Sequence, residues 1–303
     1  MSRRGWALFA AMGVIWGIPY LLIKVAVDEL APSTLVLART VLAVVLLLPV
    51  ALARGRLPEV ARAWRPLLAF AAIEIMAPWV LLGVAEQRLS SSLTGLLIAG
   101  VPLVGAVLAV VTRSDDRLDG RRLVGLLLGF AGVAALVGFE VGGGDVGAVL
   151  AVAAVAICYA VGPLVLSRWL SHLPGLGVIT ASLAVTALVY LPVGIAQAPS
   201  SWPSGDAVLA VVGLAVICTA VAFLVFFALI AEVGPTRSTV ITYVNPAVAL
   251  LLGVTLLDER FTVATAVGFA LILAGSVLAT RRSGPTTTGE RADRTEVCVV
   301  AEP

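Results

Sequence analysis

The chain is poor in the residues that carry most enzyme chemistry. Its 303 residues include one histidine, His172, one lysine, Lys24, and three cysteines, Cys158, Cys218 and Cys298. A single histidine excludes HExxH-type zinc sites, and no GxSxG elbow is present to hold a nucleophilic serine. The cysteines are far apart and form no CxxC pair, so neither a disulfide framework nor a thiol-ligated metal is expected. These absences argue against an enzyme and against a metal-ligand cluster. Charge is scarce as well. Only 13% of residues are charged, against about a quarter in a soluble domain. The net charge of +2 gives no electrostatic footprint for a nucleic-acid partner.

Apolar sequence is plentiful. Hydrophobic residues make up 60% of the chain, and the mean hydropathy is +1.09. A bilayer core of about 30 Å takes about 20 residues of helix to cross. Ten stretches meet that need, at roughly 6–27, 32–52, 65–86, 90–112, 122–139, 146–167, 175–195, 207–231, 236–257 and 262–280. The first follows a basic patch, Arg3 and Arg4, and is too long for a signal-peptide core, so it reads as a retained span. Short loops imply that neighbouring helices run antiparallel. Fourteen arginines fall in or beside one set of alternate loops and two, Arg88 and Arg260, in the other. Positive residues stay inside, which predicts cytoplasmic termini and an even number of spans. Residues 283–303 are polar and aperiodic and read as a disordered cytoplasmic tail. Gly142 to Gly144 lack a P-loop lysine and read as a turn.

The chain also repeats itself. SSLTGLLIAGVPLVGAVLAVV at 91–111 matches PTRSTVITYVNPAVALLLGVT at 235–255, with Pro102 and Pro246 144 apart. Each run ends in an acidic turn, Asp115-Asp116 or Asp258-Glu259. Gly125 aligns with Gly268, and Trp16 with Tyr159, both 143 apart. Each half holds five spans, 6–139 and 146–280. Five is odd, so the second half must enter the membrane from the opposite side. Inverted five-helix repeats of this kind suit a transporter, with a binding site near the midplane between the halves.

The WGIPYLLIK motif at 16–24, LART at 37–40 and the long closing run YVNPAVALLLGVTLLDERFTVATAVGFALILAG at 243–275 resemble the drug/metabolite transporter superfamily, specifically proteins with two EamA domains. The resemblance covers roughly residues 6–280. It implies an all-α membrane protein in which ten transmembrane helices, two inverted five-helix repeats, surround a central cavity. It further implies no cofactor and transport of small metabolites. Relatives of this kind often export amino acids or related compounds, but fold membership does not fix the substrate.

Four charges lie within spans, where an ionised group costs about 2.5–3.5 kcal/mol at the centre. By helical rise, Lys24 lies about 5 Å from the outer end of the first span, Arg39 about 10 Å inside the second and Glu74 about 14 Å into the third. Glu86 ends the third span. Their repeat equivalents, Ser167, Ser182, Cys218 and Ile230, are uncharged, so the scaffold is duplicated but the electrostatics are not. Trp16, Tyr20 and Lys24 recur every four residues and would share one helix face. Two readings stand for Lys24: attraction of a substrate carboxylate, or snorkelling to the outer headgroups. Two also stand for Arg39, which stays charged: a substrate anion, or a structural partner, be it Glu74, Glu86 or the span-end carbonyls. Glu74 is the candidate for proton coupling. Trp79 beside Pro78, Tyr159, Tyr243 and Asn245 beside Pro246 complete the candidate substrate-binding set, each weighed against ordinary packing. His172 reads as a solvated loop residue.

The function read from the sequence is a secondary transporter, an exporter of small metabolites in the cytoplasmic membrane. The alternatives are a multi-span sensor or receptor, or a channel. A channel would show a filter or a ring of like charge. The expected partners are a small-molecule substrate and the lipid bilayer, with homodimerisation left open through the glycine-rich fifth and tenth spans.

Overall fold

A computed structural model describes residues 1–55, 57–112, 120–140, 145–234 and 238–280. The turn at Asp115-Asp116, the glycine run 142–144 and the tail 283–303 lie outside them. The described residues build ten apolar helical elements in chain order. They are α1 (Arg3–Val27), α2 (Pro32–Ala53), α3 (Trp64–Glu86), α4 (Ser91–Val111) and α5 (Gly120–Gly138), then α6 (Val146–Leu170), α7 (Gly175–Ala196), α8 (Gly205–Val233), α9 (Val240–Leu256) and α10 (Val263–Thr280). Nine are long and apolar enough to cross a membrane; α9 is shorter. It opens with a 3-10 segment, Thr239–Tyr243, which rises faster per residue than an α-helix and partly offsets the shortfall.

Proline and glycine set where these helices bend. Helix α1 is interrupted at residues 16–18, because Pro19 has no N–H to continue the ladder. Helix α4 pauses at Ala99-Gly100 before Pro102, and α9 pauses at Val244 before Pro246, the same place in each half. Two π-helical turns also correspond: Ala71–Met76 in α3 and Val216–Val221 in α8.

Packing respects the same symmetry. Helix α5 lies along α10, α2 along α7 and α4 against α9, while α3 packs on α6 and α1 on α8. Exchanging the halves maps this set of pairs onto itself, as an axis relating two repeats requires. The α5–α10 seam brings backbone against backbone. A Cβ on Gly125 would stand 2.6 Å from the Ala279 nitrogen, and one on Gly132 would stand 2.7 Å from the Gly268 carbonyl. Small residues make such approaches possible in lipid. These glycine faces are therefore used within one chain.

The two ends of the bundle differ. The end poor in arginine is tied by Ser33 donating to Gln197 (2.7 Å), Thr34 donating to the Gly194 carbonyl (2.9 Å), and Glu29 accepting from the Ser204 backbone (2.8 Å) and hydroxyl. The Glu259 carboxylate accepts from the first backbone N–H groups of α4, at Ser91 (2.7 Å) and Ser92 (2.9 Å), satisfying donors that a helix start leaves free. At the arginine-rich end a cleft of about 230 Å³ opens between Ala51, Arg54, Gly175 and Phe227.

Candidate functional site

The centre of the bundle is built on Arg39 of α2. The residue is 6% exposed; its guanidinium lies 3.6 Å over the Trp79 ring and donates from Nε to the Thr219 hydroxyl at 2.9 Å. Thr219 sits in the π-turn of α8 and itself donates to the Leu214 carbonyl five residues back, at 2.8 Å. That second bond holds the hydroxyl so that its lone pair faces Arg39. Trp79 follows Pro78 just beyond the matching π-turn of α3 and is equally buried.

The balance of this arrangement is informative. Stacking on an aromatic ring is worth about 0.5–2 kcal/mol, less than the cost of a charge near the bilayer centre. Arginine carries five N–H donors, and the described protein accepts one of them. Neither Glu74 nor Glu86 hydrogen-bonds it: Glu74 Oε2 and both Glu86 oxygens are buried without a partner. The sequence alternative of a structural pair with either acid is thus not what the structure shows.

Two more candidates join this centre. Tyr159 of α6 lies near Arg39, Glu74 and Trp79. Tyr20 of α1 lies next to Tyr159 and is 7% exposed. Glu74 lies in the π-turn of α3, with its carboxylate over Gly162 of α6. A Cβ on that glycine would overlap the carboxylate, standing 3.0 Å from Cδ.

The other candidates go elsewhere. The stripe expected of Trp16, Tyr20 and Lys24 is broken, because the turn at 16–18 falls between the first two. Trp16 packs on Phe226 and Phe223 of α8, with ring centroids 4.7 and 6.2 Å away. Lys24 donates to the Glu86 backbone carbonyl at 2.7 Å, near the arginine-poor end. Tyr243 hydrogen-bonds Thr280 at 3.1 Å, near the opposite end. The Asn245 amide is satisfied when its nitrogen faces the carbonyls of Gly13 (3.1 Å) and Ile241 (3.0 Å). It then braces the break in α9 against α1, where Gly13 and Gly17 meet Val244 and Val248. Thr219 was not singled out in the sequence. The only signal for it was the repeat, which aligns its neighbour Cys218 with Glu74.

Ten apolar elements, a symmetric pairing of halves and a polar centre describe a multi-span membrane transporter, and comparison with known proteins agrees. The EamA-like transporter family matches residues 3–138 and again 146–281. The chain belongs to that family. Among relatives of this EamA-like chain, the "Uncharacterized inner membrane transporter YedA" of Escherichia coli (strain K12) is 32% identical over 286 residues, 90% of this chain and 89% of that protein. The "Uncharacterized transporter YvbV" of Bacillus subtilis (strain 168) is 23% identical over 281 residues, 91% of each. A solved crystal structure shares the fold, with a TM-score of 0.65 at 24% identity, over 92% of this chain and 97% of the other.

Proposed function

We propose that this EamA-like chain exports small metabolites bearing a carboxylate, amino acids or related compounds, across the cytoplasmic membrane by alternating access. The observation that carries the reading is the Arg39 guanidinium: buried, held on one side by Trp79 and Thr219, with no carboxylate bonded to it. Arginine recognises carboxylates through paired, charge-assisted hydrogen bonds, and its terminal amino groups are unspent. Trp79, Tyr159 and Tyr20 supply an apolar and aromatic surround for the remainder of the substrate.

Arginine distribution favours cytoplasmic termini, which makes the arginine-poor end external. Polar ties join the helices at that end; the other end carries ties as well, Ser2 donating to Glu232 and Arg122 to the Ala279 carbonyl, and the cleft beside Arg54 lies there. On this reading the conformation is closed to the outside, and release outward requires the ties at that end to part while the centre opens. No enzymatic step enters the cycle.

Counterflow in proteoliposomes tests the proposal. Labelled amino acid should accumulate only when the vesicles are preloaded with unlabelled substrate, and Arg39→Gln should abolish the effect for carboxylates. Uptake without preloading would indicate a channel. Equal counterflow by Arg39→Gln would remove Arg39 from the binding site.

A further inference from the structure

Glu86 closes α3 at the arginine-poor end of the bundle, and it is fully buried. Both of its carboxylate oxygens lack a hydrogen-bond partner among the described residues. Lys24 of α1 comes near, but it donates to the Glu86 backbone carbonyl, at 2.7 Å, and not to the carboxylate. Just beyond, at the start of α4, the hydroxyls of Ser91 and Ser92 are also buried and unpartnered. These two hydroxyls converge with a second carboxylate on one notch. A Cβ on Gly253 of α9 would overlap the Ser92 hydroxyl and Glu259 Oε2, and would stand 2.9 Å from the Ser91 hydroxyl. Glu259 itself accepts from the Ser91 and Ser92 backbone N–H groups. The charged groups that act on Glu86 are Lys24 and Glu259, and Tyr20 of α1 lies near it as well.

The charges at this place do not balance. Two carboxylates face one ammonium. The positive end of α4 offsets part of the Glu259 charge, but nothing comparable is bonded to the Glu86 carboxylate. A carboxylate this far from water needs a positive charge beside it. Protonation would remove the charge, yet the acid O–H would then be a buried donor without an acceptor, and the two serine oxygens would stay unspent. A small cation answers both needs. Carboxylate and hydroxyl oxygens are hard donors and suit hard cations, and one surplus negative charge selects a monovalent ion. We propose that Glu86, Ser91 and Ser92, together with Glu259, form a site for a monovalent cation of the sodium class. Glu86 and the two serines belong to the first repeat, whereas Gly253 and Glu259 belong to the second. The ion therefore joins the halves, as the Ser33 and Thr34 bonds do at the same end. Opening that end separates its ligands and releases it. The second repeat has no copy of the site, since the equivalent of Glu86 is Ile230. The site stands independently of the reading of Arg39 as a carboxylate anchor.

Radiosodium binding to the purified full chain in detergent, read by scintillation proximity, provides the test. Label should bind in the absence of any substrate, and unlabelled sodium should displace it where choline at equal ionic strength does not. Sodium, and not choline, should also raise the thermal denaturation midpoint, because an ion that binds only the folded state stabilises it. Glu86→Gln should abolish both effects. Ser92→Ala is the milder change and should raise the half-saturating sodium concentration severalfold, with its midpoint in choline reporting that it folds. The displacement experiment on the wild-type chain needs no variant, so a misfolded substitution leaves the result readable. Wild-type protein that holds no displaceable radiosodium would overturn the site, and so would undiminished binding by Glu86→Gln or by folded Ser92→Ala. An equal rise of the midpoint in choline would reduce the effect to charge screening and overturn it likewise. Displacement by calcium at lower concentration than by sodium would overturn the monovalent assignment.

Discussion

The Arg39 guanidinium carbon lies over Trp79, 3.6 Å from its ring centroid. That contact, with the bond from Nε to the Thr219 hydroxyl, holds the cation in place. Removing the ring should therefore loosen substrate recognition without removing the charge. Trp79→Ala is expected to raise the half-saturating substrate concentration in counterflow by about 2- to 30-fold, the range that 0.5–2 kcal/mol of cation–π interaction spans. Trp79→Phe should retain most of the affinity. Arg39→Lys should behave worse than either, because an ammonium keeps the charge but loses both the stacking plane and the paired donors.

The α5–α10 seam makes a separate prediction about stability. A side chain at Gly132 must displace the Gly268 backbone, whose carbonyl would stand 2.7 Å from the added Cβ. Overpacking of this kind costs about 1–3 kcal/mol. Gly132→Val should lower the thermal denaturation midpoint in detergent. Gly138→Ala, on the same helix with nothing within 4 Å of its Cβ position, should leave it nearly unchanged.

The spans and their boundaries were legible because lipid imposes one simple demand: twenty or so apolar residues between polar turns. The repeat was legible because Pro102 and Pro246 bend α4 and α9 at matching points. What escaped the sequence was finer geometry. Trp16, Tyr20 and Lys24 keep helical spacing on paper, but Pro19 interrupts the ladder between them. The π-turns around Glu74 and Thr219 insert an extra residue per turn, and no residue type announces them. Asn245 resembled a substrate ligand because an amide beside a proline can serve either substrate or backbone. Here it serves the carbonyls of Gly13 and Ile241. Depth alone pairs Arg39 with Glu74, whereas the side chain turns toward Thr219 of α8.

Glu29 ties the α1–α2 turn to the start of α8 at the arginine-poor end. The Ser204 hydroxyl and then its backbone N–H hold the Glu29 carboxyl below its ordinary titration range. A depressed carboxylate stabilises the fold above its unfolded value, and that contribution disappears as pH falls through the folded value. Wild-type protein should therefore be more heat-stable than Glu29→Gln at neutral pH, and the difference should close on acidification to about pH 3. A gap of equal size at both pH values would mean that the carboxylate charge plays no part in the tie.

Orientation is open to a direct chemical measurement. Trp202, 89% exposed between α7 and α8, belongs to the arginine-poor end, and exposed Arg54 belongs to the other. With Cys158, Cys218 and Cys298 replaced by alanine, Trp202→Cys should react with a membrane-impermeant maleimide added to intact cells. Arg54→Cys should react only after permeabilisation or in inside-out vesicles. The expectation rests on the retention of positively charged loops in the cytoplasm. It matters for mechanism because the same assignment places the Ser33, Thr34 and Glu29 ties outside and the Arg54 cleft inside. The opposite labelling pattern would invert the closed end, so that the conformation described would face outward and the ties would guard the cytoplasm instead.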